Sequence, residues 1–253
     1  MDDFYIVFDN KSNKDLGIDI VSRPSIPSPK ERVNVIKISD REDVYEHTGI
    51  YEDIPIPIEF NFDAYDDDDD EIRDIFRKLK AWLMCYEDNK LIFSDNSKWF
   101  YKVNNITISE TALQDISSFG NCTVDFTLNP YEYSFDGLNE IEVDTNTIFN
   151  SYFPSSPEYI IQGNGYCTLI VNGNELKVNV TNNCIVDTGL GLCIREDGTY
   201  YNVANNIKSY KDFYLKKGNN TISISSGFKL SIIPNWRCIW WFSYIKKIIK
   251  TLI

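Results

Sequence analysis

Residues 66–103 read DDDDDEIRDIFRKLKAWLMCYEDNKLIFSDNSKWFYKV. Five aspartates and Glu71 lead into Ile72, Ile75, Phe76, Leu79, Trp82 and Leu83. Steps of three and four put these apolar residues on one helical face. Arg73, Arg77, Lys78 and Lys80 fill much of the other face. Acidic residues suit the positive end of a helix dipole, and here the basic residues follow them. The spacing predicts an amphipathic helix over Asp69–Tyr86. Asn89–Lys90 then turns the chain into two strand-like runs, Leu91–Phe93 and Trp99–Val103.

Nearly everything else before the C-terminus alternates with period two. A lone helix must bury its apolar stripe, and sheet is the only partner on offer. In the first half we expect strands at Phe4–Phe8, Gly17–Ser22, Val33–Ile38, Tyr51–Phe62, Asn105–Ser109 and Asn121–Leu128. Asn10–Lys14 reads as a polar turn, Ser39–Glu46 as a charged loop and Ser117–Asn121 as a turn. Pro24, Pro27 and Pro29 forbid regular helix or central strand, which leaves an extended arm. Pro55 and Pro57 lie opposite Ile54, Ile56, Ile58, Phe60 and Phe62, which gives that strand a free edge. Asn129-Pro130-Tyr131 ends the first domain, and Glu132–Thr147 is a connector or the first strand of the next.

The second half is short strands punctuated by glycine and asparagine. Candidates are Tyr159–Gln162, Cys167–Val171, Leu176–Val180, Ile185–Asp187, Leu192–Arg195, Asp212–Leu215, Thr221–Ser225 and Lys229–Ile233. Turns fall at Asn172-Gly173-Asn174, Asp197-Gly198 and Lys217-Gly218-Asn219. Strands at this spacing without helices indicate a sandwich. At the end, Trp241, Ile245, Ile248 and Leu252 share a helical face, with Lys246, Lys247 and Lys250 off it. That predicts a short basic amphipathic helix within Cys238–Ile253, which we expect to dock on protein in preference to a membrane.

A length of 253 residues suits one large or two ordinary domains. Hydrophobic content of 43% and aromatic content of 14% supply real cores and argue against disorder. The N-terminus carries no charged segment followed by an apolar run, so no secretory leader is expected. No apolar run is long enough to span a bilayer. Residues 1–130 hold 27 Asp+Glu against 14 Lys+Arg, whereas residues 131–253 hold 11 of each. The whole net charge of −13 therefore belongs to the first half. This asymmetry supports a domain boundary near Asn129–Pro130 and argues against specific nucleic-acid binding, which needs a basic surface.

Chemistry-bearing motifs are absent. The six cysteines form no C-x-x-C pair and lie far in sequence from His47, the single histidine, which argues against zinc. They read as reduced, mostly buried thiols, and sequence leaves open whether Cys184 and Cys193 meet across a hairpin. The acidic run Asp66–Glu71 lacks the spaced ligands and glycine of a calcium loop and reads as a solvated helix start. His47 has no matching nucleophile motif and reads as a loop residue. Carboxylate pairs arise by chance in so acidic a chain. We assign no catalytic, cofactor-binding or metal residue and expect no cofactor.

Taken in order, the motifs resemble the distal tail protein (Dit) family of long-tailed bacteriophages. The resemblance rests on Arg23-Pro24-x-x-Pro27, the Ile54–Phe62 strand, the acidic helix ending Ala81-Trp82-Leu83, and Lys90-Leu91-Ile92-Phe93-Ser94-Asp95 before Trp99–Val103. Val124-Asp125-Phe126-Thr127 then leads to Asn129-Pro130-Tyr131-Glu132-Tyr133. The second half adds Ile170-Val171-Asn172-Gly173, Ile185-Val186-Asp187, Lys217-Gly218-Asn219-Asn220-Thr221-Ile222 and Pro234-Asn235-Trp236-Arg237. Two features depart from the pattern. The family's Gly-Arg-x-Gly loop is replaced by Ser39-Asp40-Arg41-Glu42-Asp43, and sixteen residues, 238–253, follow the Trp-Arg pair.

The resemblance implies a mainly β, two-domain protein. Residues 1–133 would form a ring-forming β-sandwich or split barrel with one amphipathic helix. Residues 134–237 would form a galectin-like β-sandwich, and 238–253 an amphipathic extension. It further implies a non-enzymatic hub at the distal end of the phage tail, a virion component made in the host cytoplasm. That hub is a homo-hexamer joining the tail tube and tape measure proteins to the tail-tip protein, and often to receptor-binding proteins. Six acidic domains around a channel would give a negative ring that DNA passes without sticking. The rival class is a carbohydrate-binding adhesion module contacting the host wall. Galectin sites use a His-x-Asn-x-Arg type cluster, and residues 134–253 contain no histidine. A third class, a cell-wall hydrolase, finds no residues to carry it.

Overall fold

The computed structural model describes residues 4–38, 41–63, 69–108, 119–143, 146–195, 198–199 and 209–239. Outside the described residues lie Asp66–Asp68, Ser39-Asp40, Ser117, Asp197 and, beyond Ile239, the segment of the C-terminal helix; so does the side chain of Ile72. The protein is mainly β, as expected, with one α-helix among the described residues. It divides into two compact units, one of residues up to Glu132 together with Ile239, the other Tyr133–Cys238.

In the first unit the strands are β1 (Ile6–Phe8), β2 (Lys11–Ser12), β3 (Asp19–Ile20), β4 (Glu31–Ile36), β5 (Val44–Tyr51) and β6 (Ile54–Asp63). Helix α1 (Asp69–Met84) follows, then β7 (Lys90–Phe93), β8 (Trp99–Ile108) and β9 (Phe119–Ser134). One sheet runs in the order β2-β1-β7-β8-β9-β6-β3. In it β6 runs against β9 from Ile54↔Leu128 to Asp63↔Phe119. Pro55 and Pro57 lie inside that ladder, paired with Thr127 and Asp125. Their missing N–H groups leave one side of β6 unable to donate there.

Helix α1 does what its period dictates. Phe76, Leu79, Trp82 and Leu83 enter a core with Ile6, Phe8, Ile56, Ile58, Phe60, Leu91 and Phe126. Ile75 packs at its margin. The Trp82 ring meets Phe8 and Phe60 edge-on at 6.3 and 6.4 Å. The extended arm also proves to be packed. Pro24 and Ile26 are buried, and the Arg23 guanidinium lies 5.8 Å from the Phe4 ring and 5.9 Å from the Phe93 ring. Arg23 Nε donates to Asp95 Oδ2 at 2.5 Å.

Several first-half readings change; the described part of the expected Ser117–Asn121 turn, from Phe119 on, is already strand β9. The expected turn over Asn10–Lys14 holds a two-residue strand and a 3-10 helix, Asn13–Leu16. Ser12 and Asp15 cap that helix reciprocally, and buried Asn13 accepts from Ile6 N–H and donates to the Ile18 carbonyl. The charged loop Ser39–Glu46 ends early, because Val44 already pairs with Ile36. Asn105–Ser109 is no separate strand; its described part, to Ile108, continues β8.

In the second unit the strands are β10 (Ile141–Glu142), β11 (Thr147–Asn150), β12 (Glu158–Val171), β13 (Asn174–Asp187), β14 (Leu192–Arg195), β15 (Gly218–Ile224) and β16 (Lys229–Ile233). The sheet order is β10-β16-β12-β13-β14, and β15 bridges β12 to β11. Asn172-Gly173 makes the two-residue turn between β12 and β13, with φ of +50° and +86°. Both values suit a type I′ turn, which explains the Asn-Gly pair.

Four short strands expected here are two long ones. β12 and β13 pair without interruption from Glu158↔Asp187 to Val171↔Asn174. The stretch around Gly163 (φ +148°), Gly165 (φ +108°) and Asn182 (φ +69°) takes positive φ without breaking the ladder. Before it β12 pairs with β16, and after it with β15. The strand that was expected at Asp212–Leu215 is a 3-10 helix, Tyr210–Phe213, followed by a bridge from Leu215 to Ser155. Phe213 and Leu215 still point into the core, which includes Tyr159, Leu169, Val178, Val186 and Ile232.

Candidate functional site

The feature without an internal explanation is the hairpin of β4 and β5. It is a two-stranded sheet joined to no other strand among the described residues. The ladder pairs Val33↔His47, Asn34↔Glu46, Val35↔Tyr45 and Ile36↔Val44, with a register shift between Glu31 and Val33. None of its described residues is buried. Val35 (48%), Ile36 (49%), Val44 (47%) and Tyr45 (62%) are exposed, as are Ile38 and Ile50. A lone two-stranded ribbon is marginal in water, and this one exposes apolar pairs on both faces, Val35 with Tyr45 and Ile36 with Val44.

Polar contacts hold the ribbon's register. Glu31 Oε2 lies 2.9 Å from His47 Nδ1, and Glu31 Oε1 accepts from the Gly49 N–H at 2.9 Å. Gly49 sits at φ +67°, a conformation that favours glycine. The His47 hydrogen bond, then the Gly49 N–H, hold the Glu31 carboxyl below its ordinary pKa. Asn34 Nδ2 donates to Glu46 Oε2 at 3.2 Å, and Thr48 Oγ1 donates to the Arg32 carbonyl at 2.5 Å. At the base, the Tyr51 and Tyr131 rings meet edge-on at 6.2 Å, and Asn104 Nδ2 donates to Asp53 Oδ2 at 2.9 Å. Burial, then the Glu31 charge, push the Tyr51 hydroxyl pKa up.

No site residue was assigned from sequence, so these are residues that sequence reasoning missed. One signal was present: Val44, Tyr45 and Thr48 are residues that favour strands. The charges of Arg41, Glu42 and Asp43 next to them masked that signal. His47 is accordingly a strand residue, opposite Val33 and with its ring bonded to Glu31, not a loop residue. Among the described residues, no group of three or more His, Cys, Asp or Glu side chains gathers to hold a metal. No described helix is long and apolar enough to cross a membrane.

No protein-family model matches the sequence, and no curated protein matches it. Among solved structures the chain is similar to the crystal structure of SPP1 Dit (gp 19.1), described as a paradigm of the hub adsorption apparatus in phages infecting Gram-positive bacteria. The TM-score is 0.60 at 16% identity, over 90% of this chain and 97% of that one. At that identity the likeness is one of fold: this chain has the mainly β fold of a Dit protein.

Proposed function

We propose that the chain is a structural, non-enzymatic hub of a bacteriophage tail tip. Six copies close into a ring that joins the tail tube and tape measure proteins to the tail-tip and receptor-binding proteins, at the distal end of the virion tail. The observation that carries this reading is the β4–β5 ribbon, whose Val35, Ile36, Val44 and Tyr45 are exposed and which joins no other strand among the described residues. A ring of identical copies needs a surface that a neighbour covers, repeated by rotation until it closes. The Dit-like fold across nearly the whole chain supports the same reading. The excess acidic charge of residues 1–130 suits a channel wall that DNA passes without binding.

Native mass and negative-stain micrographs of the purified chain, alone and with its cognate tail proteins, test the proposal. We expect annular hexamers from the native chain. Val35→Lys with Tyr45→Lys should leave the melting temperature unchanged and abolish the rings. Absence of annular particles under both conditions overturns the hub reading.

One observation favours a second reading, carbohydrate binding by the second unit. Tyr166 stands 86% exposed on the outer side of β12. Asn164 and Thr168 flank it on its own strand, and Asn179 faces it across the ladder. An exposed aromatic ring among amides and a hydroxyl presents both an apolar face and hydrogen-bonding groups, the two things a sugar ring uses. Binding to host wall polysaccharide that Tyr166→Ala removes would favour this reading. No measurable binding would dismiss it.

A further inference from the structure

Three thiols share the core of the second unit: Cys167 on β12, Cys184 on β13 and Cys193 on β14. Two of them approach much more closely than packing requires. Cys184 Sγ and Cys193 Sγ are 2.7 Å apart, well inside the ordinary non-bonded contact of two sulfur atoms. The residues sit on adjacent antiparallel strands, where Cys184 opposes Arg195 and Cys193 opposes Val186. That places the cysteines diagonally, the wider of the cross-strand separations. Both nevertheless turn inward and meet.

We propose that Cys184 and Cys193 are a disulfide site, closed by oxidation with a peroxide. A disulfide bond of about 2.05 Å lies less than about 1 Å from the present separation, so closure needs side-chain adjustment and no change of strand pairing. The two thiols are not equivalent. The contact with Cys184, and the Ile194 N–H, lower the pKa of Cys193, whereas the contact with Cys193, then burial, raise that of Cys184. Cys193 is therefore the nucleophile. Its thiolate attacks the peroxide, breaking the O–O bond; the departing hydroxide takes a proton and leaves as water, and Cys193 becomes a sulfenic acid. Cys184 sulfur then attacks the Cys193 sulfur, the S–O bond breaks, and the thiol proton leaves with the hydroxyl as a second water. Two thiols and one hydrogen peroxide thus give one disulfide and two waters.

The cross-link has a structural consequence. Among the described residues β14 ends the strand order and pairs with β13 alone. Its connection is already tight, because Asp187 Oδ1 accepts from the N–H groups of Gly189 and Leu190, both at 2.8 Å. A covalent bond from β14 to β13 fixes that edge strand against fraying. It forms in the isolated chain whether or not the chain builds a ring.

The test uses the full chain with Cys85→Ser, since Cys85 is exposed and reacts independently. Five of the six cysteines remain. After hydrogen peroxide treatment of the folded protein, we expect the thiol count to fall from five to three. Unreduced peptide mapping should show a linked peptide joining Cys184 to Cys193, lighter by two hydrogens. Cys167→Ser should keep that link, and Cys193→Ser should abolish it. In Cys184→Ser, a sulfenic-acid trap should label Cys193. Survival of all five thiols, or a link from Cys193 to Cys167 in place of Cys184, overturns the proposal.

Discussion

The indole N–H of Trp82 donates to the carbonyl of Phe8 over 2.8 Å, joining the C-terminal end of the helical stripe to the first strand. Both residues are buried, so the bond forms in a place water does not reach. Trp82→Phe removes the donor and keeps an aromatic ring, and should cost about 1–3 kcal/mol. Trp82→Ala also opens a cavity and should cost about 3–5 kcal/mol. Chemical denaturation of the two variants checks the order, and a Trp82→Phe variant as stable as the native chain would show that the hydrogen bond contributes nothing.

Gly163 sits where β12 changes partners. A Cβ there would stand 2.5 Å from Cδ1 of the Phe228 ring, in a backbone of φ +148°. Gly165 shares the positive φ but has open space around it. Gly163→Ala should therefore destabilise the second unit by about 1–3 kcal/mol more than Gly165→Ala. Thermal melting measures the difference, and Phe228→Ala should recover part of it only in the Gly163 variant.

Asn220 is fully buried and holds several chain segments at once. Its Oδ1 accepts from Lys216 N–H and Asn172 Nδ2, at 2.8 and 2.9 Å. Its Nδ2 donates to the carbonyls of Lys216 and Gly218, at 2.8 and 3.0 Å. Asn220→Ala should cost at least about 2 kcal/mol, since it strands buried partners. Asn220→Asp keeps the acceptors but turns a carboxylate toward two carbonyls. It should be no better than alanine, and denaturant midpoints of both variants decide this.

The hairpin should loosen in acid. Glu31 has a folded pKa below its ordinary value, so its stabilising contribution is fully present above the unfolded carboxylate pKa. It is lost as pH falls through the depressed folded value. The Gly49 amide resonance, reporting on the bond to Glu31, should titrate in that acidic window. Glu31→Gln should flatten the titration. An unchanged Gly49 signal in the native chain would contradict the assignment.

By itself the sequence determined the helix, its buried face, the alternating strands and the Asn172-Gly173 turn. Each depends on near neighbours: the spacing of Phe76, Leu79 and Trp82, or the positive φ that asparagine and glycine tolerate. Tertiary structure alone decided what the interruptions mean. Gly163 and Gly165 read as a gap between strands, yet β13 pairs straight through them, and the ring of Phe228 occupies the space that a Cβ at Gly163 would take. The charges of Arg41–Asp43 hid a strand that pairing with Glu31–Ile36 creates. The meeting of Cys184 and Cys193 likewise needs a ladder between separate strands. Periodicity records which side of an element is apolar. Partners distant in sequence decide where an element continues, bends or stands uncovered.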